Sequence, residues 1–106
     1  MVPIYTAAAV QSNVWPVFPD RSGGPVIENM TKNLDRAIAL IERLAEWNPS
    51  KIYLLPEFFM TGAGGVGKSA KDRGLLCVRI PGPEIQKLCD LAKTTDAYIA
   101  GMVWEI

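Results

Sequence analysis

Glu57 is the residue whose surroundings most suggest chemistry, because it is the only charged residue in the apolar run Ile-Tyr-Leu-Leu-Pro-Glu-Phe-Phe-Met-Thr-Gly at residues 52–62. A carboxylate removed from water costs several kcal/mol unless it is paired or hydrogen-bonded. Burial also raises the pKa of a carboxyl group toward the range of a general base, so such groups often serve catalysis. Two interpretations are open: a buried catalytic base, or a glutamate at a strand end that points into solvent.

A candidate phosphate-binding loop follows directly, at residues 62–69. Its sequence, Gly-Ala-Gly-Gly-Val-Gly-Lys-Ser, fits the pattern G-x-x-x-x-G-K-[ST] and resembles the loop of small GTP-binding proteins. In such a loop the glycines let backbone N–H groups surround a phosphate, the lysine reaches the outer phosphates and the hydroxyl holds magnesium. Gly62, Gly67, Lys68 and Ser69 have the required identities and spacing.

The sequence around this loop does not fit nucleotide binding. The loop should lead into a full amphipathic helix, but only Ala-Lys-Asp-Arg separates Ser69 from Gly74, and Pro81 stops any helix. Residues 56–61 also separate the loop from the strand before it, whereas a phosphate loop normally follows its strand at once. No apolar strand ending in aspartate follows as a second magnesium site. A nucleotide-binding module therefore remains the alternative hypothesis.

Composition excludes several other kinds of site. The chain contains no histidine, which removes Ser-His-Asp and Cys-His catalysis and histidine-ligated metal sites. Two cysteines, Cys77 and Cys89, do not make a disulfide framework, and both are expected to be free and buried. Eleven basic and eleven acidic residues cancel, so the balance indicates neither nucleic acid nor an anionic membrane as partner.

The bulk properties indicate an ordinary globular protein. With 106 residues, one domain or less is expected. The longest apolar stretch, at residues 97–104, is far shorter than the ~20 residues that span a bilayer. The N-terminal residues lack a basic region and a cleavage site, so no signal peptide is evident and a cytoplasmic location is expected.

Apolar periodicity predicts a β-α-β-α-β order. We expect strands at residues 4–11, 51–55 and 97–106, helices at 28–46 and from Pro83 onward, and loops at 12–25 and 62–74. Such alternation predicts an α/β fold with a mainly parallel sheet and right-handed crossovers. Two helices cannot cover both faces of that sheet, so the chain is expected to be the front part of a larger domain. The alternative is a small, complete two-layer domain.

Four segments together resemble the N-terminal portion of the nitrilase superfamily, the carbon–nitrogen hydrolases. They are Ala-Ala-Val-Gln at 8–11, Asn-Leu-Asp-Arg-Ala at 33–37, Leu-Leu-Pro-Glu-Phe-Phe-Met-Thr-Gly at 54–62, and Ile-Pro-Gly-Pro at 80–83 followed by a helix and Tyr-Ile-Ala-Gly at 98–101. Among these segments, Leu-Pro-Glu-Phe-Phe at residues 55–59 is the most specific for the family. The resemblance implies that residues 1–106 are an incomplete N-terminal part of a single domain, a four-layer α-β-β-α sandwich that often dimerises through helices.

The resemblance also implies a Glu-Lys-Cys mechanism in which Glu57 is the general base that takes the proton from a cysteine thiol. The thiolate attacks an amide, nitrile or carbamoyl carbon, and water hydrolyses the resulting thioester. The family's lysine and cysteine belong to later strands, so Lys68, Lys87, Cys77 and Cys89 lie in the wrong segments. The chain alone is therefore predicted to be inactive.

Several expectations about ligands and partners follow from this resemblance. They are a small-molecule amide or nitrile substrate, no cofactor, no metal, no nucleic acid, no membrane, and a homo-oligomer when the protein is complete. The substrate cannot be narrowed further from these segments. A further hypothesis is a non-catalytic fragment that persists only by pairing with a partner chain, since part of its sheet would be bare.

Overall fold

The computed structural model describes residues 3–15, 17, 26–62 and 73–106. Within these ranges five short strands and two long helices follow one another along the chain: β1 (Ala7–Ala9), α1 (Val26–Trp47), β2 (Ile52–Leu54), β3 (Cys77–Val78), α2 (Pro83–Thr95), β4 (Tyr98–Ala100) and β5 (Trp104–Glu105). Neither helix is both long and apolar enough to cross a membrane. The predicted α/β class is confirmed.

The main sheet is parallel and has the strand order β1-β2-β4. Ala8 pairs with Tyr53, and Tyr53 pairs with Ile99, so these three side chains share one face. The chain crosses from β1 to β2 through α1 and from β2 to β4 through α2. Both helices lie on that same face, because they contact each other and their apolar residues form one core with Ala8, Tyr53 and Ile99.

The helix α1 supplies much of the core beneath the sheet. Its buried apolar residues recur at helical spacing, at Met30, Leu34, Ala37 and Ile41. On the solvent side Lys32 forms an i,i+4 salt bridge of 2.9 Å with Glu28. The predicted helix at 28–46 is thus confirmed and extended at both ends.

The helix α2 begins after Gly82, with Pro83 in its first turn as expected. It ends at Asp96, which adopts a left-handed conformation with φ 50° and ψ 48°. The Asp96 carboxylate accepts a 2.8 Å hydrogen bond from Lys51 Nζ just before β2. This hydrogen bond, together with the attraction between the charges, lowers the pKa of Asp96 and raises the pKa of Lys51.

The predicted third strand at 97–106 is wrong as a single element. Strand β4 ends at Ala100, and after a break β5 pairs in parallel with β3 in a separate two-stranded sheet. A Cβ added at Gly101 would lie 3.1 Å from Phe59 Cε1, so the Phe59 ring occupies the space at the end of β4. Gly101 thus packs closely against a residue more than forty positions earlier in the chain, at the point where β4 has ended.

The face of the main sheet opposite the helices is apolar and uncovered. Its members share the alternate positions of the three strands: Ala7, Ala9, Ile52, Leu54, Tyr98 and Ala100. All are exposed except Ile52, which is half-buried. We call this surface the open sheet face. Its existence confirms that two helices do not cover both sides of the sheet.

The open sheet face should bind a hydrophobic dye. Leu54 is 43% exposed and Tyr98 is 78% exposed, and contiguous apolar surface of this kind binds such dyes. We expect replacement of both residues by threonine, which suits a strand, to lower ANS fluorescence of residues 1–106 by about half or more while the circular dichroism spectrum is kept. Trp47→Gln is the control, because Trp47 is 85% exposed but lies on α1. An equal loss of fluorescence in the control would contradict the prediction.

Candidate active site

Glu57 lies just beyond the carboxyl end of β2, the central strand of the main sheet. The ladder continues for one residue past the strand ends, since Val10 N–H donates to the Leu54 carbonyl and Leu55 N–H donates to the Ala100 carbonyl, both at 2.8 Å. Pro56 has no N–H, so the ladder stops there. The carboxyl edge of a parallel sheet is where open α/β proteins bind ligands.

The turn that follows β2, residues 56–62, is tightly held. Phe59 N–H donates to the Pro56 carbonyl at 3.2 Å, and Gly62 N–H donates to the Phe58 carbonyl at 2.8 Å. Gly62 has φ 66°, a left-handed conformation that costs a residue with a Cβ about 1–2 kcal/mol. Phe59, Met60 and Thr61 are all buried. We call this segment the Glu57 turn.

The Glu57 side chain itself is exposed. Its carboxylate forms no hydrogen bond and no ion pair with any described residue. The turn directs Phe59 and Met60 into the core, and Glu57 lies on its outer side. The solvent-facing interpretation therefore describes Glu57 in this chain, and the buried-base interpretation does not. The residues next to Glu57 in the sequence are apolar, but they do not bury its carboxylate in the fold.

In the described part of the chain no lysine forms a salt bridge with Glu57. Lys32, Lys51 and Lys87 form salt bridges of 2.8–2.9 Å, and their carboxylate partners lie outside the turn: Glu28, Asp96 and Asp35. Lys68 lies outside the described residues.

Neither cysteine has the environment expected from sequence. Cys77 is half-buried in β3 and donates its S–H to the Arg73 carbonyl at 3.3 Å. Cys89 is exposed on α2. Both are free, as expected, but the prediction that both are buried is wrong. Neither is placed as a nucleophile beside Glu57.

Asn33 is the first residue of the family-like segment at 33–37, and its structural role was not predicted from the sequence. Its side chain is 1% exposed on the inner face of α1 and makes hydrogen bonds to the backbone of Trp15 and Met60. The Trp15 ring is covered by the Arg36 guanidinium, 3.8 Å from the ring centre. The signal in the sequence was a polar residue on the apolar stripe of a helix, three positions after Met30 and one before Leu34.

Two largely apolar hollows lie near the end of β2, and one of them is lined in part by Met60 of the Glu57 turn. One, of about 240 Å³, is lined by residues that include Met30, Met60 and Cys77. The other, of about 260 Å³, is lined by residues that include Leu55, Cys89 and Gly101. Glu57 lines neither of them, so these hollows do not form a substrate pocket around its carboxylate.

The sequence profile of the carbon–nitrogen hydrolase family matches residues 6–105, which is nearly the whole chain. The chain belongs to the carbon–nitrogen hydrolase family. No curated protein matches it. Membership confirms the resemblance carried by the four sequence segments, and it supports a general hydrolase function for this carbon–nitrogen hydrolase domain.

Most of the candidate phosphate-binding loop, residues 63–69, lies outside the described residues. The described part of the chain resumes at residue 73, where residues 73–74 are helical, Leu75 and Leu76 form a turn, and β3 follows. The nucleotide-binding module stays a prediction about residues outside the described ones.

Proposed function

We propose that this protein hydrolyses non-peptide carbon–nitrogen bonds in amides, nitriles or carbamoyl compounds, with Glu57 as the general base. One observation carries the proposal. In a chain of the carbon–nitrogen hydrolase family, Glu57 presents an accessible carboxylate from a tightly held turn at the carboxyl end of the central strand. A base on such a turn is held in a fixed position relative to a reacting group.

The proposed chemistry for an amide has two halves. The Glu57 carboxylate takes a proton from a cysteine thiol, and the thiolate forms a C–S bond to the carbonyl carbon. The C–N bond then breaks, and the nitrogen leaves as ammonia with the proton held by Glu57. In the second half water gives a proton to Glu57 and attacks the thioester carbon, the C–S bond breaks, and Glu57 returns that proton to the departing sulfur, which leaves the acid and the free thiol.

We further propose that the lysine and the cysteine of this mechanism lie outside residues 1–106. Two observations support this division. Three of the described lysines are paired with carboxylates away from the Glu57 turn, and the described cysteines lie on β3 and α2. The open sheet face supplies a surface against which a second sheet of a four-layer sandwich would pack.

The test is an assay of the complete gene product and of residues 1–106 separately. Ammonia release is measured from propionamide, propionitrile and N-carbamoylglycine, and acyl-enzyme is sought by mass spectrometry after acid quench. We expect turnover and an acyl adduct from the complete product and neither from residues 1–106. The absence of both from the complete product would overturn the hydrolase proposal. Activity of residues 1–106 alone would overturn the proposed location of the lysine and cysteine.

A further inference from the structure

Asn33 joins three parts of the molecule through one buried amide. Its Oδ1 accepts a hydrogen bond from the Trp15 N–H at 2.8 Å, and its Nδ2 donates to the Trp15 carbonyl at 2.9 Å. The same Nδ2 donates to the Met60 carbonyl at 2.8 Å. The side chain is 1% exposed, so water does not compete for these bonds. Helix α1, the segment after β1 and the Glu57 turn are thereby held together.

The chemistry of this contact is specific to a carboxamide. An amide side chain offers an oxygen that accepts and a nitrogen with two N–H donors, and Asn33 uses both donors and the acceptor. An aspartate carboxylate would keep the acceptor and lose both donors, and it would turn a second oxygen toward two carbonyl oxygens. A leucine of similar size would leave all three backbone groups without a partner.

The bond to Met60 fixes the segment that contains Glu57. Met60 follows Glu57 by three residues, and the hydrogen bonds Phe59 N–H to Pro56 and Gly62 N–H to Phe58 close the same turn. Phe59 and Met60 point into the core, so the turn cannot rotate about its own axis without losing buried contacts. The hydrogen bond from Asn33 to the Met60 carbonyl keeps the Glu57 turn from moving away from α1.

We propose that Asn33 is a positioning residue that sets the place of the Glu57 carboxylate by tying the Glu57 turn to α1 and to the backbone of Trp15. The proposal rests on the proposed function of Glu57 and adds a residue to it. Asn33 touches no reacting atom and acts through the backbone. A displacement of a catalytic group by about 1 Å lowers a rate by about a hundredfold, so the expected effect is on turnover rather than on substrate binding.

The test compares Asn33→Asp with Ile41→Val in the complete gene product. Ile41 lies on the same helix and is fully buried, so its truncation loosens α1 without removing a hydrogen bond to the Glu57 turn. We expect Asn33→Asp to lower kcat about a hundredfold with KM changed less than about threefold, and Ile41→Val to leave both nearly unchanged. The loss in Asn33→Asp should shrink relative to wild type at lower pH, because a protonated carboxyl regains one donor. If Asn33→Asp is unfolded by circular dichroism, Asn33→Ser takes its place.

Hydrogen exchange of the Gly62 amide provides a readout that needs no turnover. We expect exchange at this amide to be about tenfold faster or more in the Asn33 variant than in Ile41→Val. If the wild type releases no ammonia, the hydrolase proposal fails and the exchange rates alone decide whether Asn33 positions the turn. An active wild type with equal kcat in both variants, or unchanged exchange at Gly62, would overturn the role given to Asn33.

Discussion

Replacing Glu57 by glutamine in the complete protein is expected to lower kcat/KM for ammonia release by about 10³-fold, within the range of about 10²–10⁴ that a general base contributes. Glutamine has nearly the same shape, but its amide oxygen does not take the proton from a thiol, so the nucleophile is not generated. The fold should be unaffected, because Glu57 is exposed and makes no hydrogen bond with a described residue. The free energy of unfolding in urea should change by no more than about 0.5 kcal/mol.

Glu42→Gln is the matched control for this variant. Glu42 is also exposed, lies on α1 and is far along the chain from the Glu57 turn. The same loss of one negative charge at residue 42 should leave both activity and stability at wild-type values. A Glu57→Gln enzyme that retains more than about a tenth of wild-type kcat/KM would contradict the role of Glu57 as base, because the loss would fall below the usual contribution of a general base.

The elements of the fold could be predicted where the information is local. The spacing of Met30, Leu34, Ala37 and Ile41 is enough to define the inner face of α1, and Pro83 marks the start of α2. The break after β4 could not be predicted, because β5 pairs with β3 in a separate sheet. That pairing joins residues that are distant in sequence, and strand propensity at residues 101–106 does not reveal it.

An isolated carboxylate in an apolar run made Glu57 the candidate site residue, but the sequence did not predict the geometry around it. Its exposure was not predictable, since it depends on which side of a turn each residue occupies. Asn33 was missed because its partners, Trp15 and Met60, are 18 and 27 residues away and use only backbone groups. A hydrogen bond to a backbone group does not restrict the type of the partner residue, so the sequence does not reveal the partner.

Phe59→Ala is expected to lower the free energy of unfolding by about 3–5 kcal/mol, the usual cost of removing a buried phenylalanine side chain. Phe59 is 1% exposed and is among the largest fully buried side chains. The whole free energy of unfolding of a domain is about 5–15 kcal/mol, so this one change removes a large share of it. Urea unfolding of the complete protein measures the loss. Activity should fall as well, because the ring packs beside Leu55 and Gly101 and anchors the Glu57 turn.

Phe58→Ala separates this anchoring role from a general effect of losing an aromatic ring. Phe58 is the preceding residue in the same turn and is only half-buried. Because less apolar area leaves water there on folding, its removal should cost about 1 kcal/mol. Equal losses of stability in the two variants would show that the buried side of the turn is not what holds it. A larger loss in Phe59→Ala, accompanied by faster exchange of the Gly62 amide, would show that the core contact at Gly101 fixes the turn from which Glu57 projects.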